Sequence, residues 1–166
     1  LGGKADQKKD LLTKIAKGEL TTAFALEEGS RHTPYRISTT AEKKGENFVL
    51  NGKKTFVLDG HSADLIVLAA RTSGGIEDQS GISLFLIDPN STGLERKRTI
   101  MVDSRNSSEI HLKDVEVSET KLLGELDAGF SIIEEVLERG QIGISAEMLG
   151  NTLEAFDITL EYLKER

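Results

Sequence analysis

Side chains that could perform catalysis are few in this sequence, and their spacing argues against a catalytic cluster. The three histidines, His32, His61 and His111, are scattered and lack metal-ligand spacing. The run Ser30-Arg31-His32-Thr33 places a hydroxyl near an imidazole, but no acid is indicated that would complete a nucleophilic triad. The sequence therefore predicts no metal ligand and no nucleophilic serine.

A pair of carboxylates, Glu27-Glu28, is the next candidate for general acid–base chemistry. Neighbouring side chains of an extended strand point to opposite faces, so these two carboxylates cannot share one site. The chain has no cysteine, which excludes thiol nucleophiles and disulfides. Glycine-rich phosphate loops of the Walker or Rossmann pattern are also absent.

An excess of acidic over basic residues makes nucleic acid an unsuitable partner. With 21 basic and 28 acidic residues the chain carries a formal charge of −7, which argues against a nucleic-acid-binding surface. No apolar stretch approaches the roughly 20 residues that span a bilayer, and residues 1–6 do not resemble a signal peptide. We therefore expect a soluble protein without a membrane span, located in the cytoplasm.

The strongest local structural signal is the dipeptide Asn51-Gly52. Runs rich in β-branched and aromatic residues flank it, and this pattern predicts a β-hairpin with a type I′ turn. The returning strand ends in Phe56-Val57-Leu58, and Asp59-Gly60 predicts a turn directly after it.

Other segments between residues 19 and 124 also have the composition of strands. In residues 109–117 the parity of the apolar positions changes, which predicts a bulge near Asp114. Seven or eight strands at this spacing predict an antiparallel sandwich or barrel. The additional strands are expected at residues 20–26, 37–42, 65–70, 82–87 and 93–102.

Helical spacing occurs at both ends of the chain. Residues 4–16 predict a short helix that stops at Gly18, and a long helix is expected after Gly124. The fold class is therefore α+β, with the sandwich or barrel between a short N-terminal and a long C-terminal helix. The long helix lacks a helical partner in this sequence, so we expect the chain to be an excised piece or half of an assembly. Its apolar seam is Ile142, Ala146, Leu149, Leu153, Phe156, Leu160 and Leu163.

Taken in order, these pieces resemble the acyl-CoA dehydrogenases over essentially the whole chain. The segments that carry the resemblance are residues 13–28, 40–60, 107–117, 146–150 and 162–166. The resemblance implies residues 1–18 as the end of an N-terminal helical domain, 19–124 as a middle β-domain, and 125–166 as the first helix of a truncated C-terminal helical domain.

The resemblance also implies a function. Members of this family use FAD to remove the α and β hydrogens of an acyl-CoA thioester, pass electrons to an electron-transfer flavoprotein, and usually form homotetramers. The residues that match the family's cofactor-binding positions are Ala23, Phe24, Ala25, Leu26, Arg31, His32, Phe56, Val57 and Leu58. The residues that match positions along the substrate are His32, Glu138 and Gln141.

Several of these positions depart from the family pattern. Leu26 replaces the hydroxyl that commonly hydrogen-bonds the flavin, and Leu58 replaces a second hydroxyl. His32 replaces a serine near the flavin phosphate, and Gln141 stands where arginine is usual. Backbone N–H groups and the basic pair at residues 31 and 32 can still bind the cofactor, so we favour an active, divergent member.

The catalytic carboxylate of the family has no counterpart here. In one branch it occupies the position of Gly140, and in most members it lies beyond Arg166. We therefore expect the 166-residue chain alone to be inactive. Two alternatives remain: a flavin monooxygenase or oxidase on the same scaffold, and a non-catalytic β-domain that mediates interactions.

Overall fold

A mixed eight-stranded sheet and two helices make up the computed structural model, which describes residues 1–166. Two units are distinguished, Leu1–Phe130 and Ser131–Arg166. The elements in chain order are α1 (Ala5–Ala16), β1 (Thr22–Ala25), β2 (Thr40–Lys44), β3 (Asn47–Leu58), β4 (Leu65–Arg71), β5 (Ile82–Ile87), β6 (Leu94–Ile100), β7 (Asn106–Ser118), β8 (Leu122–Leu123) and α2 (Gly129–Glu165).

The strand order across the sheet is β6-β7-β3-β2-β4-β5-β8, with β1 paired to β4 off this path. The β1–β4 ladder and a single bridge between β2 and β4 are parallel, whereas the other ladders are antiparallel. The predicted α+β class is confirmed. The sheet is open and mixed, so the predicted antiparallel sandwich or barrel describes it only loosely.

Buried side chains of the strands form the hydrophobic core of the first unit. Every residue of β5 is buried, as the continuous apolar run in its sequence predicted. The aromatic rings of Phe48 on β3 and Phe85 on β5 pack with centroids 5.1 Å apart, which joins strands distant in the sheet order. This packing fixes β3, the strand on which most of the candidate site depends.

The predicted turn at Asn51-Gly52 is wrong. β3 runs through this dipeptide without a break, and the chain reverses at Gly45-Glu46, where Lys44 pairs with Asn47. Gly45 has a φ of 64°, a left-handed conformation that glycine adopts readily. Asn51 instead uses its side chain to bond Asp114 of the neighbouring strand.

Gly52 is needed for a close approach rather than for a turn. A Cβ atom at this position would lie 2.6 Å from Thr39 Oγ1 and 2.7 Å from Thr39 Cα. The strand can pass the segment before β2 only because residue 52 lacks a side chain.

The predicted bulge near Asp114 is confirmed. The register between β3 and β7 shifts between Leu50 and Gly52, where two residues of β7 oppose one of β3. Asp114 has a φ of 52°, and its backbone N–H donates to Asn51 Oδ1 at 2.8 Å. The change of parity in the sequence therefore has a structural cause.

Both predicted helices are present. In the first unit, α1 ends at Ala16 and the chain leaves it through Gly18, which has a φ of 71°. In the second unit, α2 exposes apolar side chains along much of its length, including Ile142 and Phe156. Neither helix is long and apolar enough to cross a membrane.

Candidate functional site

The end of β1 and the second half of β3 lie side by side. The backbone N–H of Thr55 donates to the carbonyl of Glu27 at 2.7 Å. The Thr55 hydroxyl donates to the carbonyl of Gly29 at 3.3 Å. Segment 23–32 is therefore hydrogen-bonded to Thr55, the residue directly before segment 56–58, and the family resemblance assigns these two segments to one flavin.

A second bulge shapes this part of β3. Between the pairs Lys54–Ile110 and Val57–Ser108, two residues of β3 oppose Glu109 alone. One of the two is Phe56, which has a φ of 52°. A bulky side chain in the left-handed region costs about 1–3 kcal/mol, and such strain concentrates at functional sites. Bulges also redirect side chains, and here the Phe56 ring is 62% exposed.

A cavity of about 210 Å³ opens where the bulged strand meets the end of β1. It offers the Phe56 ring, several hydroxyls and one carboxylate. Sites that enclose a drug-sized ligand typically measure roughly 300–1,000 Å³, so this cavity can form one wall of a flavin site but cannot enclose the dinucleotide. An aromatic platform beside hydrogen-bonding groups fits one face and edge of a flavin ring. The lining residues are Gly29, Ser30, Thr55, Phe56, Thr99, Ser107 and Glu109.

The carboxylate of the cavity, Glu109, belongs to a charged cluster across two strands. Its Oε1 lies 3.0 Å from Lys53 Nζ, and its Oε2 lies 3.4 Å from His111 Nε2. The hydrogen bond from Lys53 is the main reason that the pKa of Glu109 is lowered, with a smaller contribution from His111. The carboxylate therefore remains ionised at neutral pH.

Two residues that directly precede lining residues of the cavity form a buried ion pair. The side chain of Lys54 is fully buried, and its Nζ donates to Glu28 Oε1 at 2.7 Å. The same ammonium donates to the carbonyl of Leu26 at 3.2 Å. One side chain of β3 is thus bonded to the chain on either side of Glu27, directly after β1.

The two members of this pair have shifted acidities. Desolvation lowers the pKa of Lys54 to about 8, although the charges of Glu28 and Glu27 act in the opposite direction. Burial alone would raise the pKa of Glu28, but the charge of Lys54 and hydrogen bonds from Lys54, Ser38 and Thr39 bring it down to about 2. Both groups are therefore charged at neutral pH.

Loop 29–38, which follows Glu28, is also fastened from its far side. The guanidinium of Arg71 on β4 donates hydrogen bonds to four backbone carbonyls and none to Glu28. Its Nη1 bonds Ser80 at 2.7 Å, and its Nη2 bonds Tyr35 at 3.1 Å. The remaining bonds reach Ile37 and Ile76. The loop beside the cavity is thus held by charged side chains at two places.

Glu27 and Glu28 take separate partners, as predicted for neighbouring residues of an extended segment. Glu28 faces Lys54, whereas Glu27 Oε1 lies 2.5 Å from His32 Nδ1. The expectation that His32 has no paired acid is wrong, because five residues of loop bring the imidazole back to Glu27. His32 therefore contacts Glu27 through Nδ1 and not through Nε2.

The nine residues matched to cofactor positions differ in exposure. Ala23, Ala25 and Val57 belong to the hydrophobic core, so only their backbone atoms can serve a ligand. Leu26 is buried and Phe24 is half-buried, whereas the remaining four are exposed. These four are Arg31, His32, Phe56 and Leu58. The substrate-matched Glu138 and Gln141 are exposed on α2, in the second unit.

Two features of the site were not found from the sequence. Lys54 follows another lysine in a polar stretch, which indicates a solvated strand face rather than a buried charge. Glu109 is assigned to the cavity only by the register of β7 against the bulge. The residues that neighbour Lys54 and Glu109 in the sequence therefore indicate neither the burial of the lysine nor the place of the glutamate at the cavity.

Comparison with known proteins gives a consistent family match. The family described as "Acyl-CoA dehydrogenase, middle domain" matches residues 23–115. A 3-(aryl)acrylate reductase from Clostridium sporogenes is 33% identical over 170 residues, which cover 100% of this chain and 45% of that protein.

Solved structures agree with this match. A probable acyl-CoA dehydrogenase from Mycobacterium abscessus superposes with a TM-score of 0.80 at 28% identity, over 86% of this chain and 39% of that one. An FAD complex of PigA superposes with a TM-score of 0.74 at 28% identity, over 80% and 36%. The chain thus spans less than half the length of each of these proteins.

Proposed function

Because this chain belongs to the acyl-CoA dehydrogenase family, we propose that it supplies the flavin-facing β-domain of an FAD-dependent oxidoreductase that acts on acyl-CoA thioesters. The observation that carries this proposal is the junction of two chain segments at one cavity. Residues 27–29 and Thr55 are hydrogen-bonded to each other, and Phe56 stands exposed beside them. A cofactor that contacts both segments needs this adjacency.

Each group around the cavity has a defined task in this proposal. The bound flavin would accept the hydride equivalent removed from the substrate. Phe56 offers its ring to one face of the isoalloxazine, and Ser30, Thr55 and Ser107 offer hydrogen bonds at the ring edge. Backbone groups of β1 contribute where the side chains point into the core. Arg31 and His32 face solvent, where they can contact phosphate groups.

The domain assignment is part of the same proposal. Residues 1–18 end a helical domain, residues 19–124 form the β-domain, and residues 125–166 begin a second helical domain. The catalytic carboxylate is supplied from outside this chain, so the 166 residues alone catalyse no α-proton abstraction. The complete enzyme is a cytoplasmic homotetramer that passes electrons to an electron-transfer flavoprotein.

A second candidate is reduction of an α,β-unsaturated acyl group, the reverse chemistry. Leu26 and Leu58 stand where hydroxyl donors are common in the family. Fewer hydrogen bonds to the flavin disfavour its negatively charged reduced form, which would make it a better electron donor. Similarity to an acrylate reductase supports this candidate.

Oxygen reactivity and flavin content discriminate the remaining alternatives. Rapid reoxidation of the reduced flavin by oxygen would favour an oxidase or monooxygenase. A correctly folded protein that binds no flavin would favour a non-catalytic interaction module.

The proposal is tested by adding FAD to the flavin-free form of the protein that carries this sequence. Quenching of flavin fluorescence measures the binding. We expect saturable binding with one FAD per chain. Substitution of Phe56 by alanine should weaken binding by about tenfold, because the aromatic contact is lost. The control is Leu12→Ala, which removes an exposed apolar side chain far from the cavity-lining residues in the sequence, on α1. This variant should bind FAD with unchanged affinity. Absence of binding by the wild-type protein would overturn the proposal.

A further inference from the structure

The carboxylate of Glu28 is the meeting point of four hydrogen bonds. It accepts from Lys54 Nζ at 2.7 Å, from the backbone N–H of Ser38 at 2.6 Å and from that of Thr39 at 3.0 Å. The Ser38 hydroxyl donates to it as well. Both ends of loop 29–38 are therefore tied to a single carboxylate, which closes the loop at its base.

Lys54 connects this closed loop to β3. Its ammonium reaches Leu26 and Glu28 on the first segment, while its own backbone lies directly before the bulge at Thr55 and Phe56. Fully buried lysines are rare unless paired, and burial of the charge is costly. A well-packed apolar pair could fill the same volume, so stability alone gives no reason for the charges.

The position of the pair supplies a reason. Gly29 and Ser30 form part of the cavity wall and follow Glu28 directly, while Thr55 and Phe56 form the facing part and follow Lys54. A shift of either member would therefore move both parts of the wall. Neither Lys54 nor Glu28 lines the cavity itself.

We propose that Lys54 and Glu28 are positioning residues, which hold loop 29–38 and the bulged end of β3 in the relative placement that a flavin requires. This inference rests on the proposed function for its ligand. The pair acts before the cofactor arrives, because its bonds exist within the protein alone. It therefore lowers the ordering cost of binding rather than adding a contact.

Arg71 holds a part of loop 29–38 independently of the Lys54–Glu28 pair. Its bonds hold the far side of the loop through Tyr35 and Ile37 and involve neither Glu28 nor Lys54. Loss of the pair should free the part of the loop that follows Glu28, whereas Tyr35 and Ile37 stay bonded to Arg71. The change is thus expected at the backbone N–H of Thr55, which bonds Glu27 across the junction, more than at those of Arg36 and Ile37.

The test uses the double variant Lys54→Met/Glu28→Met of the protein that carries this sequence. Single variants leave one buried charge unpaired and can fail to fold, whereas the double variant replaces the pair with apolar groups of similar size. The matched control is Lys44→Met/Glu42→Met, the same changes at exposed positions of the adjacent β2. Three quantities are measured: urea unfolding, hydrogen exchange of the flavin-free protein, and the Kd for FAD.

We expect the double variant to unfold close to the wild type and to exchange about tenfold faster at the backbone N–H of Thr55, whose bond to the Glu27 carbonyl joins the two segments. Its Kd for FAD should be at least about tenfold higher, whereas the control retains the wild-type Kd. An unchanged Kd in a double variant with wild-type stability would overturn the inference.

A failure of the proposed function would be recognised separately. If the wild-type protein binds no FAD, the cofactor part of the inference falls together with that function. Hydrogen exchange then still measures the positioning, and equal exchange in the wild type and the double variant would overturn that part as well.

Discussion

The Nζ atom of Lys54 lies 2.7 Å from Oε1 of Glu28, and the lysine side chain is fully buried. The pair joins the segment after β1 to the strand that carries the Phe56 bulge. Its two members are 26 residues apart in the sequence. The pair therefore links two segments of the site that are distant in the sequence.

Substitution of Glu28 by glutamine should destabilise the fold strongly. The change keeps the shape of the side chain but leaves the Lys54 ammonium buried without a counter-charge. Such uncompensated buried charges cost about 3–5 kcal/mol of unfolding free energy. Urea unfolding measures the loss, and Glu42→Gln at an exposed position of β2 should change stability by no more than about 0.5 kcal/mol. Similar losses for both variants would show that the pair has no special weight.

Stability should rise in alkaline solution because of Lys54. The pKa of Lys54 is lowered from 10.5 to about 8 by desolvation, so between these values the unfolded chain binds the proton and the folded chain does not. Raising the pH from 8 to 10.5 therefore favours the folded state, by up to about 3 kcal/mol for a pKa difference of this size.

Unfolding midpoints of the wild type and of Lys54→Met/Glu28→Met, measured side by side across this range, isolate the effect from that of other titrating groups. The rise should be absent from the variant. An identical pH dependence in both proteins would contradict the assignment.

Stability should fall in acid because of Glu28. Its pKa is about 2 in the folded protein against an ordinary value of 4.5, so its contribution is present above 4.5 and is lost as the pH falls toward 2. Lys54→Met/Glu28→Met, which is expected to keep close to wild-type stability, should remove this part of the acid sensitivity. Circular dichroism at graded pH follows the transition, and an unaltered acid midpoint in the variant would refute the prediction.

Gly52→Ala should be costly although the residue lies within a strand. The new Cβ would lie 2.6 Å from Thr39 Oγ1, a distance that forces the backbone to move. Overpacking of this kind costs about 1–3 kcal/mol. Gly143→Ala in α2 meets no atom within 4 Å and should raise stability by about 0.5–1 kcal/mol through helix propensity. A tolerated Gly52→Ala would show that the two segments can separate.

Phe56 should show a trade-off between stability and cofactor affinity. Its φ of 52° is relieved by glycine but not by alanine, so Phe56→Gly should be more stable than Phe56→Ala by about 1 kcal/mol. Both variants lack the aromatic ring and should bind FAD equally weakly. Equal stability of the two variants would indicate that the backbone relaxes when the ring is removed.

Local sequence patterns predicted what local patterns control. The apolar run of β5, the stop at Gly18 and the parity change at Asp114 all depend on neighbouring residues, and all three predictions are confirmed. The turn at Asn51-Gly52 was predicted wrongly because its glycine serves a contact with Thr39. That contact comes from packing between segments, which a turn propensity does not include.

The candidate site divides in the same way. The resemblance located the two segments, residues 23–32 and 56–58, but gave no information about which side chains face outward. Core packing turns Val57 inward, and the bulge turns Phe56 outward. Burial of Lys54 needs Glu28 from another part of the chain, so a window around residue 54 cannot reveal it.

A crystal structure of the protein with bound FAD would show whether the two segments contact one flavin. We expect an isoalloxazine ring in contact with Phe56 on one side of the cavity and with backbone atoms of residues 23–32 on the other. A flavin that contacts only one of these segments, or that binds elsewhere on the protein, would contradict this expectation.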